Sequence, residues 1–338
     1  MKKNLLLSAI MLFGMSVSIM AQGVKTKMYT NNDAYVSECC KESPSCKHLG
    51  RITIPSTHQK DGQSFPVTYI SFSFQKCKLS SVVLPNTIKE ISWSFDNCKN
   101  LKNVALPNGI KTINLSFNDC GFTSINIPNS VTKMEDSFMS CNNLTSIGIP
   151  NSLTKILNCF SGCNKLTSIT IPNSINDMAS CFNECASLTE VIISNSENNI
   201  EDNSNGLKIM SSCFSDCNKL KSITIPNGIT GMEHCFNNCA SLTDVNISNN
   251  VTFLYDCLNR CKSLSSITIP NSVKGLSSVF NGCDNLLSIT VLSPIPPSIE
   301  IYDNNIFNKA TLFVPKGSLS DYQKDSKWSK FNIIKEME

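Results

Sequence analysis

Leu166-Thr167-Ser168-Ile169-Thr170-Ile171-Pro172-Asn173-Ser174, followed by apolar residues at Ile175, Met178, Phe182 and Cys185, is one unit of a pattern that fills most of this chain. The unit before it runs Leu144, Ile147, Ile149, Pro150, Asn151, Leu153, Ile156, Phe160 and Cys163. Apolar and polar residues alternate in the opening half, which marks a short strand with one buried face. Proline then removes a main-chain donor and ends the pairing, and asparagine follows in a turn. Working outward, Cys77, Cys98, Cys120, Cys141, Cys163, Cys185, Cys217, Cys239, Cys261 and Cys283 recur at intervals of 21 or 22 residues, with a single interval of 32. A fixed step of that size means stacked coils, each burying its apolar face against its neighbours.

Eleven strand units begin at Leu49, Leu79, Leu101, Phe122, Leu144, Leu166, Leu188, Leu220, Leu242, Leu264 and Leu286. At the ordinary strand spacing the stack is about 50 Å long. The expected fold is a leucine-rich-repeat solenoid of the α/β type. About eleven short parallel strands stack in one sheet, with irregular or short helical segments on the opposite side. Phe74, Phe95, Phe117, Phe138, Phe160, Phe182, Phe214, Phe236 and Phe280 form a second spine, with Leu258 substituting once, each three residues before a ladder cysteine. Burying each ring contributes roughly 1.5–3 kcal/mol. Asn86, Asn108, Asn129, Asn151, Asn173, Asn195, Asn227, Asn249 and Asn271 form a third row, expected to stack as amides that satisfy the turn backbone. A sugar- or metal-binding asparagine row is the sharper alternative.

The chain opens with Lys2 and Lys3, an apolar run over 5–17 and a small-residue site before Gln22, the order of a secretory signal peptide over 1–21. The apolar run is short for a membrane span, and no later stretch is long enough to provide one in the mature chain. Without Lys2 and Lys3, 27 basic residues face 26 acidic ones. Such a balance argues against nucleic acid, which calls for a basic stripe. The expected organisation is signal 1–21, N-terminal cap 22–45, solenoid 46–292 and C-terminal cap 293–338. Insertions fall at residues 58–65 and 197–206. In the last segment a short helix is expected, with Leu319, Tyr322 and Trp328 turned inward.

Five coils carry a second cysteine, as Cys159/Cys163, Cys181/Cys185, Cys213/Cys217, Cys235/Cys239 and Cys257/Cys261. The spacing is not that of zinc knuckles or thioredoxin-like sites. Ser73, Ser94, Ser116, Ser137 and Val279 fill the same position elsewhere, so the site wants a small buried side chain. Disulfides are the rival reading in an oxidising compartment, with Cys39 and Cys40 the better candidates for a local bridge. His48, His58 and His234 fall in no nucleophile or metal motif, and His234 beside Cys235 in sequence does not make a pair. No catalytic residue, cofactor or metal site is expected.

The strand residues on the solvent side form a flat, hydroxyl-rich strip. Its candidate binding positions are Ser146, Ser168, Thr170, Glu190, Ser222, Thr224, Asp244, Asn246, Ser266 and Thr268. The repeated L-T-S-I-T-I-P-N-S of residues 166–174, with the F-x-x-C of Phe160 and Cys163, resembles the BspA-like group of bacterial leucine-rich-repeat surface proteins. Several coils carry Cys before the repeat Phe, where such relatives commonly carry Ala. The resemblance implies an exported, non-enzymatic scaffold, adhesin-like, binding an unidentified protein or glycan on host or bacterial surfaces. The second reading is an envelope or periplasmic structural protein whose thiols buffer oxidation or bind metal. Cell surface, medium and periplasm all remain open as destinations, as does oligomeric state.

Overall fold

The computed structural model describes residues 50–194, 207–301 and 305–338, and the main-chain course of 26–28 and 34–37. The signal-like segment, Cys39, Cys40, Cys46, His48, Asn195 and the insertion 197–206 lie outside the described residues.

All eleven expected units contain strands, from Arg51–Thr53 and Ser81–Val83 through to Ser266–Ile269 and Ser288–Val291. In Ser168–Ile171 the pattern exposed, buried, exposed, buried follows the sequence alternation directly. Proline closes most of these strands with a tight corner: Ile175 N–H donates to Pro172 O at 3.1 Å, and Ile110, Val131, Leu153, Ile229 and Val273 repeat the bond, while Val251 makes it to Ser248 O.

Parallel strands stack in one dominant sheet with little helix, as the repeat implies. The strands of that sheet are not those named from the sequence. Past each corner a second short strand forms on the side expected to be irregular or helical, as in Glu90–Ser92, Lys155–Leu157, Asp177–Ala179 and Gly231–Glu233. Together with Thr26–Met28, Ala34–Ser37, Thr57–Lys60 and Gln63–Ser71, ten such strands build a sheet of 14. Each puts one apolar residue into the core, such as Ile91, Ile156, Met178 or Met232. Met178 pairs with Met210 across the insertion 197–206, so the ladder continues in register there. The other insertion is a hairpin, Thr57–Lys60 against Gln63–Ser71. Its turn residues Asp61 and Gly62 have φ of 52° and 76°, the double positive φ of a type I′ turn.

The strands named from the sequence pair in shorter sets. Ser124–Asn126 pairs with Ser146–Gly148, Ser168–Ile171 with Glu190–Ile193, and Ser222–Ile225 with Asp244–Ile247. Between those sets the ladder lapses. The coils are therefore held most continuously by the broad sheet.

The core is a column of rings. Eight phenylalanines from Phe74 to Phe236 stack with centroids 5.1–5.7 Å apart and planes within 15° of parallel. Midway the main-chain hydrogen bonds beside them change direction. The N–H groups of Phe95, Phe117, Phe138 and Phe160 donate back to Ser73, Ser94, Ser116 and Ser137. Those of Phe182, Phe214 and Phe236 donate forward to Cys213, Cys235 and Cys257. From Phe74 to Phe160 the phenylalanines have φ of 60–65°, whereas Phe182 and those after it do not have positive φ. Between Phe160 and Phe182 the carbonyls of Cys159 and Cys181 therefore face one another, and neither accepts a main-chain N–H among the described residues.

At the C-terminal end, Leu319–Lys324 is a short helix and Trp328–Lys330 a single 3-10 turn. Tyr322 and Trp328 are fully buried, while Leu319 is half-buried. Tyr322 donates its hydroxyl to Ser293 O at 2.7 Å, and Trp328 Nε1 donates to Pro297 O at 2.8 Å.

Candidate functional site

The ten strip positions named from the sequence are all exposed. Register aligns them: Ser168 lies beside Glu190, Ser222 beside Asp244, Thr224 beside Asn246, Ser266 beside Ser288 and Thr268 beside Thr290. The buried residues between them, Ile169, Ile223, Val245 and Ile267, anchor each strand from below. Where the ladder lapses, shallow clefts open in the strip. One of about 540 Å³ lies between Ser146–Gly148 and Ser168–Ile171. A second of about 290 Å³ lies between Glu190–Ile193 and Ser222–Ile225. Ile192, about half exposed, is a large apolar side chain presented among the hydroxyls of the strip's central coils.

The asparagine row is corrected by the structure. Asn86, Asn108, Asn129, Asn151, Asn173, Asn227, Asn249 and Asn271 are exposed, and the corner is closed by the main-chain bond from the residue two beyond each of them. Proline's carbonyl and the incoming amide leave the side-chain amide nothing to satisfy. The amide ladder exists one residue after the phenylalanine instead. Asn118 Oδ1 accepts Met139 N–H at 2.8 Å, Asn237 Oδ1 accepts Asn259 N–H at 3.1 Å, and Asn259 Oδ1 accepts Asn281 N–H at 2.8 Å. Asn237, Asn259 and Asn281, recurring at 22-residue steps after the phenylalanine row, carried the signal in the sequence.

Both cysteine rows are buried and unbridged. From Cys98 to Cys283, each ladder thiol donates to the repeat-Phe carbonyl of the coil before it, at 2.9–3.4 Å. At Cys283 that carbonyl belongs to Leu258. The second row explains why serine and cysteine interchange. Ser94 Oγ donates to Ser92 O at 2.7 Å and accepts Ser73 N–H at 3.2 Å. Cys213 Sγ likewise donates to Ser211 O at 3.2 Å. Oxygen and sulfur thus fill one small donor position. Burial pushes the thiols of Cys98, Cys141, Cys159, Cys185, Cys213 and Cys239 up to about 12. Burial also raises Cys120, Cys163 and Cys261, as well as Cys181, Cys217 and Cys257. The nucleophilic and metal-binding form of cysteine is the thiolate, which burial disfavours at these positions. Among the described residues no group of three or more His, Cys, Asp or Glu side chains is placed to hold a metal ion.

His234 does not meet the thiol beside it. Its Nδ1 lies 2.5 Å from Asp256 Oδ2, while Cys235 Sγ turns inward to Met210 O at 3.1 Å. Among the described residues no helix is long and apolar enough to cross a membrane.

The family model described as the BspA type leucine rich repeat region matches in six copies, over residues 67–180, 114–206 and 181–312. Among solved structures, the pneumococcal vaccine antigen PcpA is 15% identical, with 95% of this chain and 98% of that chain covered at a TM-score of 0.54. A leucine-rich repeat protein from Bacteroides ovatus is 22% identical, covering 95% and 100% at a TM-score of 0.48. A leucine rich cell surface protein from Faecalibacterium prausnitzii is 21% identical, covering 93% of each chain at a TM-score of 0.44. The likeness to PcpA is one of fold. No curated protein matches the chain.

Proposed function

Because the chain belongs to the BspA-type leucine-rich-repeat family, we propose that it acts as an exported, non-enzymatic scaffold that binds a partner at a cell surface through its hydroxyl-rich strip. The observation that carries this reading is the strip itself. Ser146, Ser168, Thr170, Glu190, Ser222, Thr224, Asp244, Asn246, Ser266 and Thr268 stand exposed on strands whose alternate residues are locked in one core. A rigid array presents its side chains already ordered, so little entropy is lost when a partner docks along it. The order of basic, apolar and small residues over 1–21 supports export. The second reading, a thiol buffer or metal array, is disfavoured by thiols that are buried, hydrogen-bonded and held neutral by their surroundings.

Protease shaving of intact expressing cells, with mass spectrometry of the released peptides, tests the placement. Release of peptides spanning 197–208 without lysis is expected. Their appearance only after the envelope is opened would overturn surface display. The strip is tested separately, by replacing Thr170, Thr224 and Thr268 together with arginine. Surface binding by the purified protein should fall while the melting temperature holds; unchanged binding would remove the strip from the reading.

A further inference from the structure

Away from the strip, in the turn after the phenylalanine row, Asp216, Asn238, Asp256, Asn259, Arg260 and Gly282 line an open depression of about 550 Å³. Its floor is built before any ligand arrives. Asp256 accepts from His234 Nδ1 at 2.5 Å, from Asn237 Nδ2 at 3.3 Å and from Asn259 Nδ2. The oxygens of Asn237 and Asn259 meanwhile hold the main chain of the next coils. Those side chains are therefore spent, and Asp256 is surrounded by donors.

The rim is different. Asp216, Asn238 and Arg260 occupy the same position in three successive coils, with φ of 63°, 59° and 60°. Asn238 Nδ2 donates to Asp216 Oδ1 at 2.5 Å, which leaves the second carboxylate oxygen and the Asn238 carbonyl as acceptors. Arg260 lies two coils from Asp216, about 10 Å at the ordinary strand spacing. Its stem rests on Gly282, where a Cβ would stand 3.1 Å from Arg260 Cγ. The ion pairs among the described residues are Lys99–Asp119, Lys133–Glu135, Lys155–Asp177 and His234–Asp256, so the Arg260 guanidinium is in none of them.

We infer that this depression binds an acidic sugar, its carboxylate on the Arg260 guanidinium and its adjacent ring hydroxyls on Asp216 and Asn238. A planar fork of donors matches a carboxylate two bonds at a time. A carboxylate beside an amide carbonyl supplies the acceptors that neighbouring hydroxyls need. Asp216 and Asp256 on the same surface repel a polyanion, which sets nucleic acid and polyphosphate aside. The site is independent of the strip, so variants at Thr170, Thr224 and Thr268 should leave it unchanged.

Isothermal titration of the purified protein at low ionic strength tests it with three probes: a disaccharide ending in glucuronic acid, its neutral glucose counterpart and its sulfate ester. The glucuronic acid probe is expected to bind about tenfold or more tighter than the neutral one, the size of one charge-assisted bond. Arg260→Ala should erase that preference, Asp216→Ala should weaken both sugars, and Lys262→Ala on the same coil should change neither. Equal affinity for the acidic and neutral probes, tighter binding of the sulfate ester, a preference that survives Arg260→Ala, or no heat from the glucuronic acid probe at millimolar concentration would each overturn the assignment.

Discussion

At the scale of single residues, the cysteine rows are hydrogen-bonding parts of the core. Cys213 Sγ reaches both Ser211 O and Met178 O, at 3.2 and 3.5 Å, in a site with no access to water. Cys213→Ala strips both carbonyls of that donor and should cost about 1–3 kcal/mol. Cys213→Ser keeps a donor where four other coils already use one, and should stay within about 1 kcal/mol. Urea midpoints in reducing buffer separate the two, and equal losses would show that volume rather than the donor matters. Asp96 gives a pH signature. Burial lifts its carboxyl to about 6 from an ordinary 3.8, against the lowering effect of its bond from Asn118 N–H. The folded state therefore holds this proton more tightly than the unfolded chain. The stability it contributes is complete below pH 3.8 and is lost as pH rises through about 6. Asp96→Asn keeps the acceptor and removes the charge. The fall in melting temperature between pH 4.5 and 7 should be smaller in the variant by the share that Asp96 supplies, and an unchanged fall would contradict the burial argument.

At the scale of elements, legibility followed the length of each pattern. The I-x-I strands could be read because alternation ran over several residues and ended at proline. The broad sheet could not, because its strands are mostly three residues long with one buried side chain, as in Lys155–Leu157, too short for any period to show. The asparagine row was misread for a different reason. Residue type suggested a local bond, but the bond from Ile175 N–H to Pro172 O had already closed the turn. Nothing in the residue pattern showed the reversal of hydrogen-bond direction between Phe160 and Phe182, since both coils have the same spacing and both carry Cys before Phe. That junction should open first. Each carbonyl left without a donor costs about 1–3 kcal/mol in a buried setting. Native-state hydrogen exchange should then divide the central solenoid into two protected blocks, one ending near Phe160 and one beginning near Phe182. A single uniform level of protection from Met134 to Met232 would show that the reversal carries no energetic weight.

At the scale of the whole molecule, repetition explains why architecture was so much easier to read than partner. A core position is repeated in every coil, so its chemistry is stated many times over. A recognition position such as Arg260 is stated once, and its neighbours came together only through the stacking of coils 22 residues apart. The same one-dimensional design governs how the molecule fails. Each coil is stabilised by its own contacts and by its immediate neighbours, so damage at an end should spread inward by degrees. Trp328 is the test. It is fully buried, donates to Pro297 O, packs edge-on against Tyr322 at 5.5 Å and stacks on Phe331 at 5.8 Å. Trp328→Ala should cost about 3–5 kcal/mol, a loss confined to the C-terminal strands and helices around it. Strands Thr311–Val314 and Ile333–Glu336 should then lose hydrogen-exchange protection first, while Gln63–Ser71 and Glu90–Ser92, many coils away, keep theirs. If all four strands lose protection together, the chain unfolds as one cooperative body and the nearest-neighbour description fails for it.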